Sequence, residues 1–193
     1  DKLLDKTLQD AGGKGFFTRE LDLAQIAGEI DVAVHSLKDV PSILPEGLYV
    51  ACYLPREDAR DALIGPWGKL DDLPEGAVLG TASLRRGAQA LRKRPDLKII
   101  PFRGNVQTRL RKLSEGLADA TLLAAAGLKR LNMTENVAGY IEKDEMLPAA
   151  GQGIVCATLS SDAPDWLRAA CAAIDSAESR LAAAAERAFL KRL

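Results

Sequence analysis

Short apolar segments alternate with helical segments through the middle of the chain, and this pattern limits the folds open to it. The predicted strands lie at residues 62–64, 77–80, 98–102 and 120–125, and the predicted helices at 83–93 and 106–115. Strands that alternate with helices are typical of a parallel α/β sheet, because parallel neighbours need a crossover connection. We therefore predict an α/β domain with a parallel sheet here.

The flanking segments carry further elements. A helix is predicted at 21–27, buried strands at 31–37, 48–54 and 154–159, and an alanine-rich helical tail from Asp162 that ends in a helix at 176–193. The Pro- and Gly-rich segment 147–153 predicts a crossover or hinge. The chain opens without Met, and its last helix has no C-cap glycine. These ends predict a piece of a longer protein.

Composition excludes several classes of protein. The chain has 193 residues, 47% of them hydrophobic and 27% charged, which fits neither a disordered nor a collagen-like chain. Its longest apolar runs, such as residues 120–128, fall well short of the roughly 18 residues that span a bilayer. No membrane partner is therefore expected.

The few cysteine and histidine residues argue against several kinds of site. The three cysteines, Cys52, Cys156 and Cys171, are odd in number and widely spaced, which is typical of neither a disulfide framework nor a CxxC metal site. We therefore expect the protein in a reducing compartment, the cytoplasm. The single histidine, His35, leaves too few imidazoles for a His-rich zinc site or an ordinary Ser/His/Asp triad. No metal site is predicted, and His35 is interpreted as a packed, hydrogen-bonded residue.

The net charge of −1 hides a strong separation of charge along the chain. Residues 81–130 carry 12 Lys and Arg against 3 Asp and Glu, whereas residues 1–80 carry 8 against 15. Such a cationic island indicates an anionic partner: nucleic acid, a phosphorylated metabolite or a polycarboxylate. Its one aromatic residue, Phe102, offers no stacking platform, so nucleic acid is the weakest of the three. A solvated basic helix face stays open as the alternative.

The arginines of this island concentrate where predicted strands end and helices begin. Free N–H groups and the helix dipole already favour an anion at such turns, and arginine adds a planar fork. The residues in question are Arg85, Arg86, Arg103, Arg109 and Arg130. Neighbouring turns would build one pocket that suits several carboxylates better than one phosphate. Arg92 and Arg94, late in the preceding helix, are expected on its exposed side.

Two further turns carry candidate chemistry. Lys38 and Asp39 follow a buried strand, where a carboxylate can stabilise a developing cation or accept a proton, although a surface ion pair explains them equally well. The glycine-rich segment 12–15 holds Lys14 but lacks the spacing of a phosphate-binding P-loop, so a plain glycine turn is as good an interpretation.

Seven segments in this order closely resemble the porphobilinogen deaminase family. They are GGKGFFTREL (12–21), DVAVHSLKDVP (31–41), PREDARDALI (55–64), LGTASLRRGAQ (79–89), RPDLKIIPFRGNVQTRL (94–110), AAAGLKRL (124–131) and LPAAGQG (147–153). The resemblance implies a transferase of tetrapyrrole biosynthesis that condenses four porphobilinogen molecules into hydroxymethylbilane and releases ammonia. A catalytically silent polycarboxylate-binding module with a solute-binding-protein fold is the alternative.

The resemblance also implies roles for individual residues. Asp39 matches the catalytic aspartate, which stabilises the cation formed when ammonia leaves. The positions that match carboxylate-binding or cleft-lining residues are Lys14, Lys38, Thr81, Ser83, Arg85, Arg86, Arg103, Asn105, Arg109, Arg130 and Gln152.

The family architecture implies two hinged α/β domains like type II periplasmic solute-binding proteins, followed by a third α+β domain. Domain 1 would be residues 1–54 with 153–172, domain 2 residues 58–148, and residues 175–193 the start of domain 3. The resemblance further implies a covalent dipyrromethane cofactor, whose cysteine would follow Leu193, and an Arg-x-Ser strand before Asp1. We expect a cytoplasmic monomer whose partners are porphobilinogen and the growing oligopyrrole, with no nucleic acid.

Overall fold

The computed structural model describes residues 18–192, which divide into two compact units. We call residues 58–149 the continuous unit, and residues 18–57 together with 150–192 the split unit. The chain passes between them after Glu57 and after Ala149, and the second point lies inside the segment 147–153 that the sequence predicts as a crossover or hinge. The hinge itself stays a prediction, and Lys14 with its glycine-rich segment lies outside the described residues.

The continuous unit is built on a five-stranded sheet. Its elements are β3 (Asp61–Ile64), β4 (Val78–Gly80), α2 (Leu84–Lys93), β5 (Lys98–Ile100), α3 (Val106–Ser114), β6 (Ala120–Ala124), α4 (Ala125–Arg130) and β7 (Gly139–Ile141). The strand order is β5-β4-β6-β3-β7. The four predicted strands and two predicted helices are confirmed within about two residues, whereas β7 was not predicted, because three residues carry no clear period.

The prediction of a parallel sheet is wrong for half of this sheet. Strand β4 pairs in parallel with β5 and β6, but β3 pairs antiparallel with β6 and β7. The connection from β3 to β4 contains only a short 3-10 helix, Leu70–Asp72, so the chain returns in the opposite direction. Strands β3 and β4 are not neighbours, because β6 lies between them, but a parallel direction would still need a crossover connection, usually a full helix.

The core of the continuous unit fixes the sheet against its helices. Leu63, Leu79 and Leu122 are completely buried on three different strands and belong to one cluster. Burying each such side chain contributes about 1.5–3 kcal/mol, before the cost of ordering the chain. Ala62 and Leu128 belong to a second cluster, against which α3 packs. The ends of these strands are therefore held in place by a well-packed core.

The split unit holds a three-stranded antiparallel sheet in the order β1-β8-β2. Its elements are α1 (Arg19–Ile26), β1 (Val32–Ser36), β2 (Leu48–Tyr53), β8 (Val155–Ser160), α5 (Asp165–Ala173) and α6 (Ala177–Leu190). The sequence predicted all of them except the separate helix α5, which lies inside the predicted helical tail. Among residues 18–192, no helix is long and apolar enough to cross a membrane.

Helix α6 belongs to the split unit and packs against its sheet. Ala183 is fully buried in a cluster with Leu37 and Ile154. Ser176 caps the N-terminus of the helix, because its hydroxyl accepts a hydrogen bond from the Ser179 N–H. The assignment of residues 175–193 to a third domain stays a prediction. Within the part described, α6 supports the sheet of the split unit.

Candidate functional site

Asp39 lies in a turn that directly follows strand β1. The strand ends at Ser36 and continues as a short 3-10 helix, Leu37–Asp39. Leu37 is 1% exposed and its N–H donates to the Ile154 carbonyl at 2.9 Å, whereas Asp39 is exposed. A buried residue thus anchors the turn and presents the following carboxylate at the surface.

Two further groups hold this turn in place. Gly151 has φ +74° and packs so closely on Leu37 that a Cβ there would lie 2.8 Å from the Leu37 Cγ. From α6, the Arg187 guanidinium donates to the carbonyls of Val40 and Pro41. Sequence reasoning missed Arg187, because nothing local connects a residue of the tail with a turn almost 150 positions earlier.

His35 is a packed residue, as predicted. It is 7% exposed, and its Nε2 lies 3.2 Å from the Thr158 hydroxyl. Burial lowers the pKa of His35 more than the nearby charges of Asp22 and Asp39 raise it. A neutral imidazole in a hydrogen-bonded core position is the result.

The arginine-bearing turns of the continuous unit meet at one edge of its sheet. Strands β5, β4 and β6 are adjacent and parallel, so their carboxyl ends lie side by side. The turns that follow them, residues 81–86, 101–109 and 125–130, therefore share this edge, which we call the arginine edge. Ligands of open α/β sheets bind at such carboxyl ends.

Two helices begin at the arginine edge with capped N-termini. The Ser83 hydroxyl accepts from the Arg86 N–H of α2, and the Asn105 side chain accepts from the Thr108 N–H of α3 at 2.9 Å. Thr81 is buried, and its hydroxyl accepts from the Ser83 N–H. Capping fixes the first turn of each helix, and the positive end of the dipole favours an anion there.

Glycine is required at two positions under this edge. A Cβ on Gly80 would lie 2.6 Å from the Phe102 ring, which is itself 1% exposed. Gly104 has φ +114°, and a Cβ there would lie 2.6 Å from the Thr108 Cγ2. The two turns are thus packed against each other and against their own helices without room for a side chain.

Arg85 and Arg86 both bind one buried carboxylate, that of Asp61. Arg86 is 5% exposed, and its Nη2 lies 2.7 Å from Asp61 Oδ1. Arg85 Nη2 lies 2.7 Å from Asp61 Oδ2, and Arg85 Nη1 donates to the Leu147 carbonyl at 2.6 Å. Sequence reasoning missed Asp61. An acidic residue that opens a wholly apolar strand does signal a buried ion pair, but it does not identify the partners.

Arg103 and Arg109 lie in the turn after β5 and the first turns of α3. Arg109 is half-buried, and its Nε donates to the Gly104 carbonyl at 2.8 Å. Burial, followed by the neighbouring charge of Arg86, lowers the pKa of Arg109 from its ordinary value. Arg103 is half-buried, and its carbonyl accepts from Lys112 Nζ. The charge of Arg86 on α2 is therefore close enough to affect Arg109 on α3.

Three other arginines differ in how well they agree with the positions predicted from the sequence. Arg130 is exposed at the last residue of α4, about 9 Å along the helix from the strand end, so it borders the turn rather than forming it. Arg92 is exposed, as expected. The placement of Arg94 is wrong: its guanidinium binds Asp96 and the Leu70 carbonyl, because it closes the loop below α2.

The other two predicted site residues lie in the split unit. Lys38 is half-buried beside Asp39 in the 3-10 helix. Gln152 is 1% exposed, and its carbonyl accepts from Arg56 Nε at 2.9 Å. Gln152 thus belongs to the packed segment that leads into β8.

All three cysteines are buried and reduced. Cys52 and Cys171 lie in one apolar cluster, and Cys156 in another. Burial raises the pKa of Cys156 to about 12, so its reactive thiolate is disfavoured. None of these thiols is suited to carry a cofactor by nucleophilic attachment, which agrees with the expectation that the attachment cysteine is none of them.

Solved structures with a similar fold include solute-binding proteins. A TRAP periplasmic solute-binding protein from Desulfovibrio salexigens matches with a TM-score of 0.52 and 11% identity, over 91% of this chain and 63% of that one. The aliphatic sulphonate-binding protein SsuA from Escherichia coli matches with a TM-score of 0.51 and 15% identity, over 90% of this chain and 62% of that one. At these identities the likeness shows the fold, the two-unit α/β class of type II periplasmic solute-binding proteins.

Sequence comparisons show the family. A family model described as porphobilinogen deaminase, dipyromethane cofactor binding domain, matches residues 1–168. The porphobilinogen deaminase of Paracoccus denitrificans is 54% identical over 100% of this chain and 62% of its own length. The chloroplastic enzyme of Pisum sativum is 56% identical over 100% of this chain and 53% of its own length. The chain thus spans about half to three fifths of these relatives, and it belongs to the porphobilinogen deaminase family.

Proposed function

We propose that the protein containing this chain is a porphobilinogen deaminase, also called hydroxymethylbilane synthase. This transferase of tetrapyrrole biosynthesis condenses four porphobilinogen molecules into hydroxymethylbilane with release of ammonia. The arginine edge is the observation that carries the proposal. Porphobilinogen bears two carboxylates and the linear product eight, so a chain-building site must hold many carboxylates at once.

The arginine edge supplies donors suited to that task. Arg85, Arg103 and Arg109 carry planar guanidinium groups that can each bind a carboxylate in bidentate fashion. They lie at or near the N-termini of α2 and α3, where the helix dipoles add positive potential. We propose that these residues bind the acetate and propionate side chains, together with Ser83 and Asn105.

The proposed chemical role of Asp39 follows from its charge and position. When ammonia leaves porphobilinogen, positive charge develops on the pyrrole ring and its methylene group. An exposed carboxylate on a rigid turn stabilises that charge without reorganisation and can hold the pyrrole N–H. Lys38, its neighbour, is proposed to bind a substrate carboxylate. Thr81, Gln152 and Lys14 are proposed as lining residues, and Arg130 as a peripheral one.

The residues of the arginine edge also fit the family's dipyrromethane cofactor. Dipyrromethane carries acetate and propionate groups of the same kind as the substrate, so the donor set that suits one suits the other. When bound, the cofactor supplies the pyrrole carbon to which the first substrate is joined. Arg85, Arg103 and Arg109 would hold its carboxylates. Its covalent attachment is proposed at a cysteine outside this chain.

We further propose that the protein acts as a monomer in the cytoplasm, without nucleic acid or a membrane as partner. The three buried, unbridged cysteines support a reducing compartment. Relatives in Pisum sativum and Oryza sativa are chloroplastic, so members of the family occur in more than one compartment.

The experiment supplies porphobilinogen to the full-length protein and measures ammonia, hydroxymethylbilane and protein mass. We expect four molecules of ammonia for each molecule of hydroxymethylbilane, and a protein mass raised by a covalent dipyrromethane. A silent polycarboxylate-binding module, which would share the fold and the arginine edge, would bind porphobilinogen but release no ammonia and show the unmodified mass. That second result would refute the proposed function.

A further inference from the structure

Asp61 occupies an unusual position for a charged residue. It is 0% exposed at the start of β3, where it lies opposite Ala124 of β6 and Ile141 of β7. A carboxylate in such surroundings is strongly destabilised unless charged donors compensate it. Two charged donors on Asp61 that the structure describes, Arg85 and Arg86, come from one short segment, the first turn of α2.

The two arginines use Asp61 in different ways. Arg86 directs Nε and Nη2 at Asp61 Oδ1, at 3.0 and 2.7 Å, and its Nη1 donates to the Leu122 carbonyl at 3.0 Å. Its side chain is only 7% exposed, so every nitrogen of this guanidinium is engaged inside the unit. Arg86 therefore connects the Asp61 carboxylate to strand β6 and holds it in place.

Arg85 is held from the side and remains accessible. Its side chain is 23% exposed, with Nη2 on Asp61 Oδ2 and Nη1 on the Leu147 carbonyl. Gln89, one helical turn later, binds the N–H and carbonyl of the same Leu147. These contacts fix the plane of the Arg85 guanidinium at the arginine edge. Because two arginines share one carboxylate, the group formed by Arg85, Arg86 and Asp61 carries a net positive charge.

We propose that Asp61 is a positioning residue, which orients Arg85 for a ligand carboxylate while Arg86 holds the Asp61 carboxylate in place. The inference rests on the proposed function, because it assigns Asp61 to the same carboxylate-binding edge. A planar guanidinium binds a carboxylate well in one orientation, so orientation as well as charge sets its affinity.

The direction in which anion affinity changes in an Asp61→Asn variant distinguishes positioning from simple charge compensation. Asp61→Asn removes a negative charge near the edge. If Asp61 only reduced the positive potential, anions would bind more tightly to the variant. If Asp61 orients Arg85, anions bind more weakly despite the added positive charge. Asp61→Glu keeps the charge but moves the carboxylate by one methylene, so only positioning predicts weaker binding there.

A matched control lies in the same unit. Asp96→Asn also removes a carboxylate that binds an arginine through two nitrogens, Arg94 Nε and Nη2, both within 2.8 Å. This pair closes the loop at the far end of α2, away from the arginine edge. The variant should lose stability without loss of anion affinity.

The test uses the full-length holoenzyme and two readouts. Calorimetry with tricarballylate measures carboxylate affinity without turnover, well below each variant's melting temperature, and steady-state kinetics with porphobilinogen separate KM from kcat. We expect Asp61→Asn and Asp61→Glu to weaken tricarballylate binding and raise KM by about tenfold or more, since small misplacements of a binding group are costly. Asp96→Asn should match wild type in both.

Two results would overturn the inference. Tighter or equal tricarballylate binding by both Asp61 variants would show charge compensation alone, and equal losses in the Asp96 control would show a general effect of stability. If Asp61→Asn fails to fold, Asp61→Glu decides the question. A wild-type protein that binds tricarballylate but releases no ammonia would refute the proposed function and leave the role of Asp61 measurable.

Discussion

Replacing Arg187 with Met tests how α6 supports the turn of Asp39. The guanidinium donates to the carbonyls of Val40, at 3.1 Å, and Pro41. Met keeps much of the aliphatic stem, so the change removes mainly these two hydrogen bonds. The two residues that follow Asp39 would then lose their connection to the helix.

The expected loss of stability follows from burial at the two carbonyls. Val40 is 5% exposed, so its carbonyl has little access to replacement water, and leaving it without a donor costs about 1–3 kcal/mol. The half-buried Pro41 carbonyl can be rehydrated and adds about 0.5 kcal/mol. We expect about 2 kcal/mol in total, which lowers the urea midpoint by about 1 M at an m value of about 2 kcal/mol/M.

Turnover should fall as well, because Asp39 would no longer be held at a fixed position. A positioning loss of about 1–2 kcal/mol corresponds to about 5- to 30-fold in kcat. The assay is steady-state release of ammonia by the full-length enzyme at a temperature where the variant remains folded. KM should change less than kcat, since the arginine edge is untouched.

Arg180→Met is the matched control on the same helix. Arg180 binds Asp175 and donates to the Ala51 carbonyl, so its loss should also reduce stability. It makes no contact with the turn of Asp39 that the structure describes, so kcat should stay near wild type. Equal kcat losses in the two variants, or a normal kcat in Arg187→Met, would refute the reasoning.

Two further predictions concern the arginine edge. Gly80→Ala would place a methyl group 2.6 Å from the Phe102 ring, so we expect a loss of about 1–3 kcal/mol in urea unfolding, and unchanged stability would contradict the packing argument. Arg103→Lys and Arg109→Lys keep the charge but lose the planar fork, so mass spectrometry should show enzyme-bound pyrrole chains stalled at altered lengths. Arg92→Lys, at an exposed position, should match wild type; equal profiles for all three would leave only a diffuse positive field.

The sequence was sufficient to predict where the arginine edge lies. Strand ends and helix starts leave local signals, and the parallel direction of β4, β5 and β6 follows from the helices α2 and α3 that connect them. The position of Asp39 directly after a buried strand and the packing of His35 within that strand were also predicted. Local patterning governs these features, so local reasoning reaches them.

Features that depend on contacts distant in sequence were not predictable. The antiparallel direction of β3 depends on a connection without a helix, and short connections carry weak patterns. Asp61 meets Arg86 across 25 positions, and Arg94 turns back to carbonyls more than 20 positions earlier. An arginine on a helix looks the same in sequence whether it binds a ligand or closes a loop. Only the tertiary contacts distinguish these roles.

The turnover of Asp39→Asn tests the central claim most directly. Asn keeps the shape of the side chain and removes the charge that would stabilise the cation formed as ammonia leaves. Asp39 is exposed on a turn anchored by its buried neighbour Leu37, so the melting temperature should hardly change. We predict that ammonia release by the full-length enzyme falls by orders of magnitude at an almost unchanged melting temperature. Near-normal turnover in this variant would contradict the assignment of Asp39 and the mechanism built on it.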